Sequence, residues 1–126
     1  MYTNQTRDRF NPGTDLTAVA TVDVTGKTFV AYGGPMRSSN IAVRPAAAGE
    51  PVAGVAKYDA KTDQLVGVAR GSARVLTVTT EVTLEAGDPV EVGDGGRATK
   101  ATTGTVVGWA ADAAEANTDA LISLAH

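Results

Sequence analysis

Two short apolar runs, Val52-Ala53-Gly54-Val55-Ala56 and Leu65-Val66-Gly67-Val68-Ala69, flank the polar segment 57–64, and each carries a central glycine. Runs of this length, bounded by charged turn residues, read as buried strands joined in a hairpin. A degraded copy stands near the end of the chain: Val106-Val107-Gly108-Trp109-Ala110, a polar stretch, then Leu121-Ile122-Ser123-Leu124-Ala125. In both copies an aspartate, Asp63 or Asp119, precedes the leucine by two residues. A glycine-centred run repeated about half the chain apart predicts two related halves around one core.

The rest of the chain extends this β pattern. Leu16, Ala18, Ala20, Val22 and Val24 alternate with polar residues, which predicts a half-buried strand on one face. Thr28–Tyr32 and Ile41–Arg44 read as further strands, and the proline-bracketed 45–51 segment reads as a loop despite its alanines. Leu76, Val78, Val82 and Leu84 share one parity, which fits one long strand or two strands with a kink near Thr80. Val90–Val92, with Pro89 tolerable only at a strand start or edge, precedes the tight reversal Gly93-Asp94-Gly95-Gly96 and a return strand over 97–102. Asp112-Ala113-Ala114-Glu115 comes close to a capping box and permits one helical turn. No apolar stripe at helical spacing appears elsewhere. The expected fold class is all-β, a small barrel or sandwich of short antiparallel strands. It divides into an extended N-terminal arm, residues 1–15, and a single β-rich domain, 16–126. The arm is polar, with Tyr2 and Phe10 as its large apolar groups and Arg7 and Arg9 among its charges.

Composition narrows the chemistry. With 11 basic and 14 acidic residues, the net charge of −3 argues against a general affinity for nucleic acid. There is no cysteine, and the one histidine, His126, is the last residue, so neither a thiolate site nor a histidine-based catalytic triad can be built. Asp59, Asp63, Asp88, Asp94, Asp112 and Asp119 fall where turns are expected, and turn aspartates commonly reverse the chain. The 93–96 glycine run lacks the lysine and following helix of a phosphate loop. Asp88, Glu91 and Asp94 could offer oxygens to calcium but lack EF-hand spacing. No run is long enough to span a membrane, and Met1–Gln5 does not read as a signal peptide, so the expectation is a soluble protein without a secretion leader. The sequence thus predicts no catalytic residues, no metal, no cofactor and no small-molecule substrate: a structural or binding protein, not an enzyme.

Apolar residues make up 43 % of the chain but aromatics only 5 %, with alanine and valine dominant. Alanine removes little area from water on burial, at about 25 cal/mol per Å². Burial between subunits compensates for a thin core, which motivates an oligomer. Trp109 occupies the place in the second copy that Val55 holds in the first, so a core or subunit-interface role is expected for it in preference to a sugar-stacking platform.

A pattern of glycines and small apolar residues runs through Asn11-Pro12-Gly13, Gly26-Lys27-Thr28-Phe29-Val30, Val52-Ala53-Gly54-Val55-Ala56 and Gly71. It continues through Ala86-Gly87-Asp88-Pro89-Val90-Glu91-Val92-Gly93, Gly95-Gly96-Arg97-Ala98 and Val107-Gly108-Trp109-Ala110. On these residues the chain resembles the small capsid cement, or head decoration, proteins of tailed bacteriophages. The resemblance implies a β-rich protein on the outer surface of an expanded head, made in the host cytoplasm. Such a protein is commonly a homotrimer that bridges major capsid subunits. On this resemblance Tyr2, Arg7, Arg9 and Phe10 of the arm become capsid-binding candidates, and Trp109 a subunit-interface candidate. The alternative class is a small carbohydrate- or ligand-binding β-module, for which one Trp and three Tyr are scant material.

Overall fold

The alternating run from Leu16 forms a first strand, β1 (Asp15–Ala20), and the strand formers after Thr28 form β2 (Phe29–Tyr32). They are joined by β3 (Ile41–Pro45), β4 (Gly54–Ala56) and β5 (Leu65–Ala69). The second half supplies β6 (Val75–Thr79), β7 (Pro89–Val92), β8 (Ala98–Lys100), β9 (Gly108–Ala110) and β10 (Asp119–Leu124). This is the architecture of a computed structural model that describes residues 3–5 and 15–126. The protein is all-β, as expected.

Strands β1 to β5 close into a barrel in the order β1-β3-β2-β4-β5. The β1–β3 contact is parallel and the other pairings are antiparallel. The second five strands form a sheet in the order β6-β10-β9-β7-β8. An isolated parallel bridge from Thr80 to Ala98 brings β8 back toward the end of β6.

The two halves are structural repeats, and the register shows it residue by residue. Ala18 faces Val66 as Val78 faces Ala120, and Ala56 faces Val68 as Ala110 faces Ile122. Phe29 faces Val55 as Pro89 faces Trp109, and Tyr32 faces Val43 as Val92 faces Ala98. Even the loop bridges recur, Val24 with Ala60 and Leu84 with Ala114. The parallel bridge Thr80–Ala98 thus repeats the Ala20–Val43 pair that closes the first barrel.

The repeat is real, but the leucine alignment expected from sequence is displaced by two residues. Leu121 corresponds to Gly67, and Leu65 corresponds to Asp119, at the start of β10 and not in a turn. The true counterpart of Asp63 is Asn117. Both have left-handed backbone (φ 67° and 62°), and their amides donate to the equivalent carbonyls of Ala20 and Thr80 at 2.7 and 2.8 Å. Asp and Asn tolerate that conformation better than other side chains. A slip of two leaves inward and outward faces unchanged, so the apolar pattern alone could not detect it.

One shared core was expected, and two clusters are found. Leu16, Ala18, Ala20, Val24, Val30, Val43, Val66 and Val68 fill the first barrel. Val78, Leu84, Val90, Ala98, Val107, Ala110, Ala120 and Ile122 fill the second, and this cluster also takes in Phe29, Ala31, Ala46, Val52 and Val55 from the first half. Inward residues of β2 and β4 line their own barrel, whereas their outward neighbours Phe29 and Val55 form a seam with the second barrel. A narrow closed barrel encloses room only for small side chains, which accounts for the alanine and valine content.

Hydrogen bonds and ion pairs reinforce the seam. The Thr79 amide donates to Lys27 O (2.9 Å), Gly49 N to Val92 O (2.9 Å) and Thr105 N to Gly49 O (3.0 Å). Lys27 Nζ meets Asp119 at 2.9 Å, and Arg74 meets Asp15 at 2.8 Å.

Two local expectations are corrected and a third is refined. The alternation on β1 stops at Ala20, and Val22 is exposed while Val24 turns back inward. Asp112–Glu115 forms no helical turn, because Ala114 bridges Leu84 and the Asp112 carboxylate accepts from the next amide, Ala113 N, at 2.8 Å. The reversal at 94–96 is a short 3-10 turn, in which Gly95 and Gly96 supply the positive φ.

Candidate functional site

Several charged side chains hold loops or tie the two halves together. Glu50 accepts from both terminal nitrogens of Arg44, at 2.9 and 2.8 Å, and from the Ala47 amide at 2.6 Å. The guanidinium, and secondly that amide, hold its carboxyl down to about 2. Asp15 binds Lys57 at 2.6 Å and Arg74 at 2.8 Å, and these cations keep its pKa below the ordinary carboxylate value. Asp23 accepts from the amide and hydroxyl of Thr62 at 2.8 and 3.0 Å, which lowers it too. Of the turn aspartates, Asp59 accepts from Gly26 N and Asp88 from Glu85 N, both at 2.8 Å.

The three carboxylates considered for calcium are not brought together. Asp88 turns to Glu85 N and Lys100, while buried Glu91 accepts from Thr102 Oγ1 (3.1 Å) and Gly104 N (2.6 Å). Asp94 lies in the 3-10 turn. Among the described residues no group of three or more metal-ligating side chains forms, and no helix is long and apolar enough to cross a membrane.

The feature that stands out is an apolar row on the outside of the second barrel. Cross-strand register lines up Val75 on β6, Ser123 on β10, Trp109 on β9 and Pro89 on β7. Val75, Trp109 and Pro89 are exposed, as is Leu121, two residues along β10 from Ser123 and on the same face. The corresponding row of the first barrel is Asp15, Ala69, Val55 and Phe29. There the apolar members are buried against the second barrel: Val55 is 3 % accessible, whereas its counterpart Trp109 is 45 % accessible. Equivalent positions thus have opposite environments, so Trp109 is not a core residue.

Glycine permits the close strand spacing beneath this row. A Cβ at Gly108 would lie 2.5 Å from Ser123 O, and one at Gly54 would run into the equivalent Ala69 O. The close approach at these glycines is therefore between neighbouring strands of one barrel.

Tyr2, Arg7, Arg9 and Phe10 lie outside the described residues. Sequence reasoning singled out Trp109 but missed its companions Val75, Pro89 and Leu121. Their outward parity within otherwise apolar strands was the available signal.

No family model matches the chain, and no curated protein sequence matches it. Among solved structures it is similar to the N base of the head fibre protein gp8.5 of bacteriophage phi29. The TM-score is 0.74 at 22 % identity, over 88 % of this chain and 92 % of that one. That neighbour is itself a phage head protein, the setting to which the sequence resemblance pointed. This chain has the fold of the base of a bacteriophage head fibre.

Proposed function

We propose that this protein is a structural component of a phage head, acting without catalysis as a decoration protein. It binds the outer surface of the expanded capsid as a homotrimer and bridges major capsid subunits. The observation that carries this reading is the fold likeness to the phi29 head fibre base across nearly the whole of both chains. The sequence resemblance to head decoration proteins supports it.

Bridging neighbouring subunits opposes the outward pressure of packaged DNA because separating them would also break contacts to the decoration protein. The arm and its Tyr2, Arg7, Arg9 and Phe10 are the proposed capsid contacts. Cryo-electron microscopy of expanded heads mixed with the protein tests the reading, with ordered density outside the capsid shell as the expected result. Heads that bind no protein, or that are equally resistant to heat with and without it, would overturn it. Glycan binding lost in Trp109→Ala would instead favour a carbohydrate-binding module, a reading supported by the exposure of that ring.

A further inference from the structure

The seam between the two barrels is a head-to-tail contact. An isologous seam would bury equivalent residues on both sides, yet Phe29 and Val55 are buried and their counterparts Pro89 and Trp109 are exposed. One face of the fold is therefore used in the first barrel and left open in the second. The complementary face shows the opposite behaviour at one pair: Val92, whose carbonyl accepts from Gly49 N at the seam, is 1 % accessible, whereas its first-barrel counterpart Tyr32 is 56 % accessible. Asp119, which reaches across the seam to Lys27, and its counterpart Leu65 are both exposed. Each chain thus carries one formed contact and, at its two ends, the separate halves of another. We propose that copies of this chain associate head to tail and close into a ring. In each contact the Val75–Trp109–Pro89 row of one copy seats on the Tyr32–Leu65 face of the first barrel of the next.

Closure follows from the loops after β3 and β8. Gly49 and Gly104 each stand three residues beyond an equivalent amide, Ala46 N bonded to Phe29 O and Ala101 N bonded to Pro89 O, in loops that differ in length by one residue, and a Cβ at Gly104 would lie 2.5 Å from Gly49 Cα. Corresponding points on two bodies remain close only near the rotation axis that relates the bodies. Any shift along that axis is no larger than their separation. The relation between the barrels is thus a rotation with little translation, and head-to-tail contacts of this kind give rings where the rotation divides a full turn, whereas a translating relation gives filaments. The contact between copies reuses the geometry of the seam, with Trp109 in the place of Val55 and Leu65 in the place of Asp119.

The inference specifies the interface of the proposed homotrimer but does not depend on capsid binding, so it is tested on the isolated full chain. Light scattering is expected to give a multi-chain mass for the wild type and a single-chain mass for both Trp109→Glu and the double variant Tyr32→Glu/Leu65→Glu. Circular dichroism checks that each variant keeps its β signal. Mixing the two variants is expected to give a two-chain species, because one retains the row and the other retains its seat. A variant that keeps the wild-type mass, or a folded mixture that stays monomeric, would overturn the proposal while leaving capsid binding untouched. Should a variant fail to fold, the wild type still decides. Its only tryptophan is expected to become more quenchable by acrylamide on dilution, and unchanged quenching would count against the proposal. A wild-type monomer with a shielded Trp109 would also overturn it, and would assign the covering role to residues 1–14.

Discussion

At the scale of single residues, Glu50 is a strut between β3 and the loop after it. Its carboxyl is held down to about 2, from an ordinary value of 4.5, by Arg44 and then by the Ala47 amide. Because the folded value lies below the unfolded one, the stabilisation is fully present above 4.5 and is lost as pH falls toward 2. Asp15 and Asp23, also lowered, act in the same direction. Urea midpoints measured through this acid window should fall less steeply for Glu50→Gln than for the wild type; parallel curves would contradict the assignment. Gly108→Ala places a methyl group against Ser123 O and should cost about 1–3 kcal/mol by overpacking. In the same strand, Trp109→Ala should change the stability of the dissociated chain by less than Gly108→Ala does, because its side chain lies on the exposed outer face. Chemical denaturation at low protein concentration compares the two.

At the scale of elements, the two barrels close differently. The first is closed by three parallel pairs between β1 and β3, the second by the single Thr80–Ala98 bridge. Thr80 is fully buried, and its hydroxyl is 2.8 Å from Val82 O and 3.2 Å from Ala98 O. Thr80→Val removes that hydroxyl and should cost about 1–3 kcal/mol. Faster amide exchange should be confined to β8 and the end of β6, and uniform exchange across both barrels would contradict this. The strands themselves were legible in the sequence, because alternation and glycine turns are local signals. The duplication was legible as well, through Val55 and Trp109 at matching places. What escaped was non-local: the division into two interiors depends on β1 meeting β3 across an intervening strand. The exposure of Trp109 depends on which barrel covers which row. Capping chemistry at Asp112 suggested a helical turn, and the long-range Leu84–Ala114 bridge prevailed over it.

At the scale of the whole molecule, the seam makes two small barrels into one body. Among the described residues Phe29 is the largest wholly buried side chain, and Phe29→Ala should cost about 3–5 kcal/mol. Loss of a single cooperative transition, with the barrels melting separately, would identify the seam as the site of damage. An undivided transition with unchanged midpoint would refute its role. On the capsid, deletion of residues 2–14 should lower occupancy of expanded heads, as counted by cryo-electron microscopy; undiminished occupancy would move the binding role to the barrels.

The ion pairs of Asp15 bear on how such a protein resists being pulled. This carboxylate, at the start of β1, is tied to Lys57 of the first barrel and to Arg74, just before the second. From there β1 runs parallel to β3 and antiparallel to β5. A force applied through the preceding residues therefore enters a point fastened to both halves. A force along the axis of β1 would load the β1–β3 hydrogen bonds together in shear, whereas a force across it would peel them one after another.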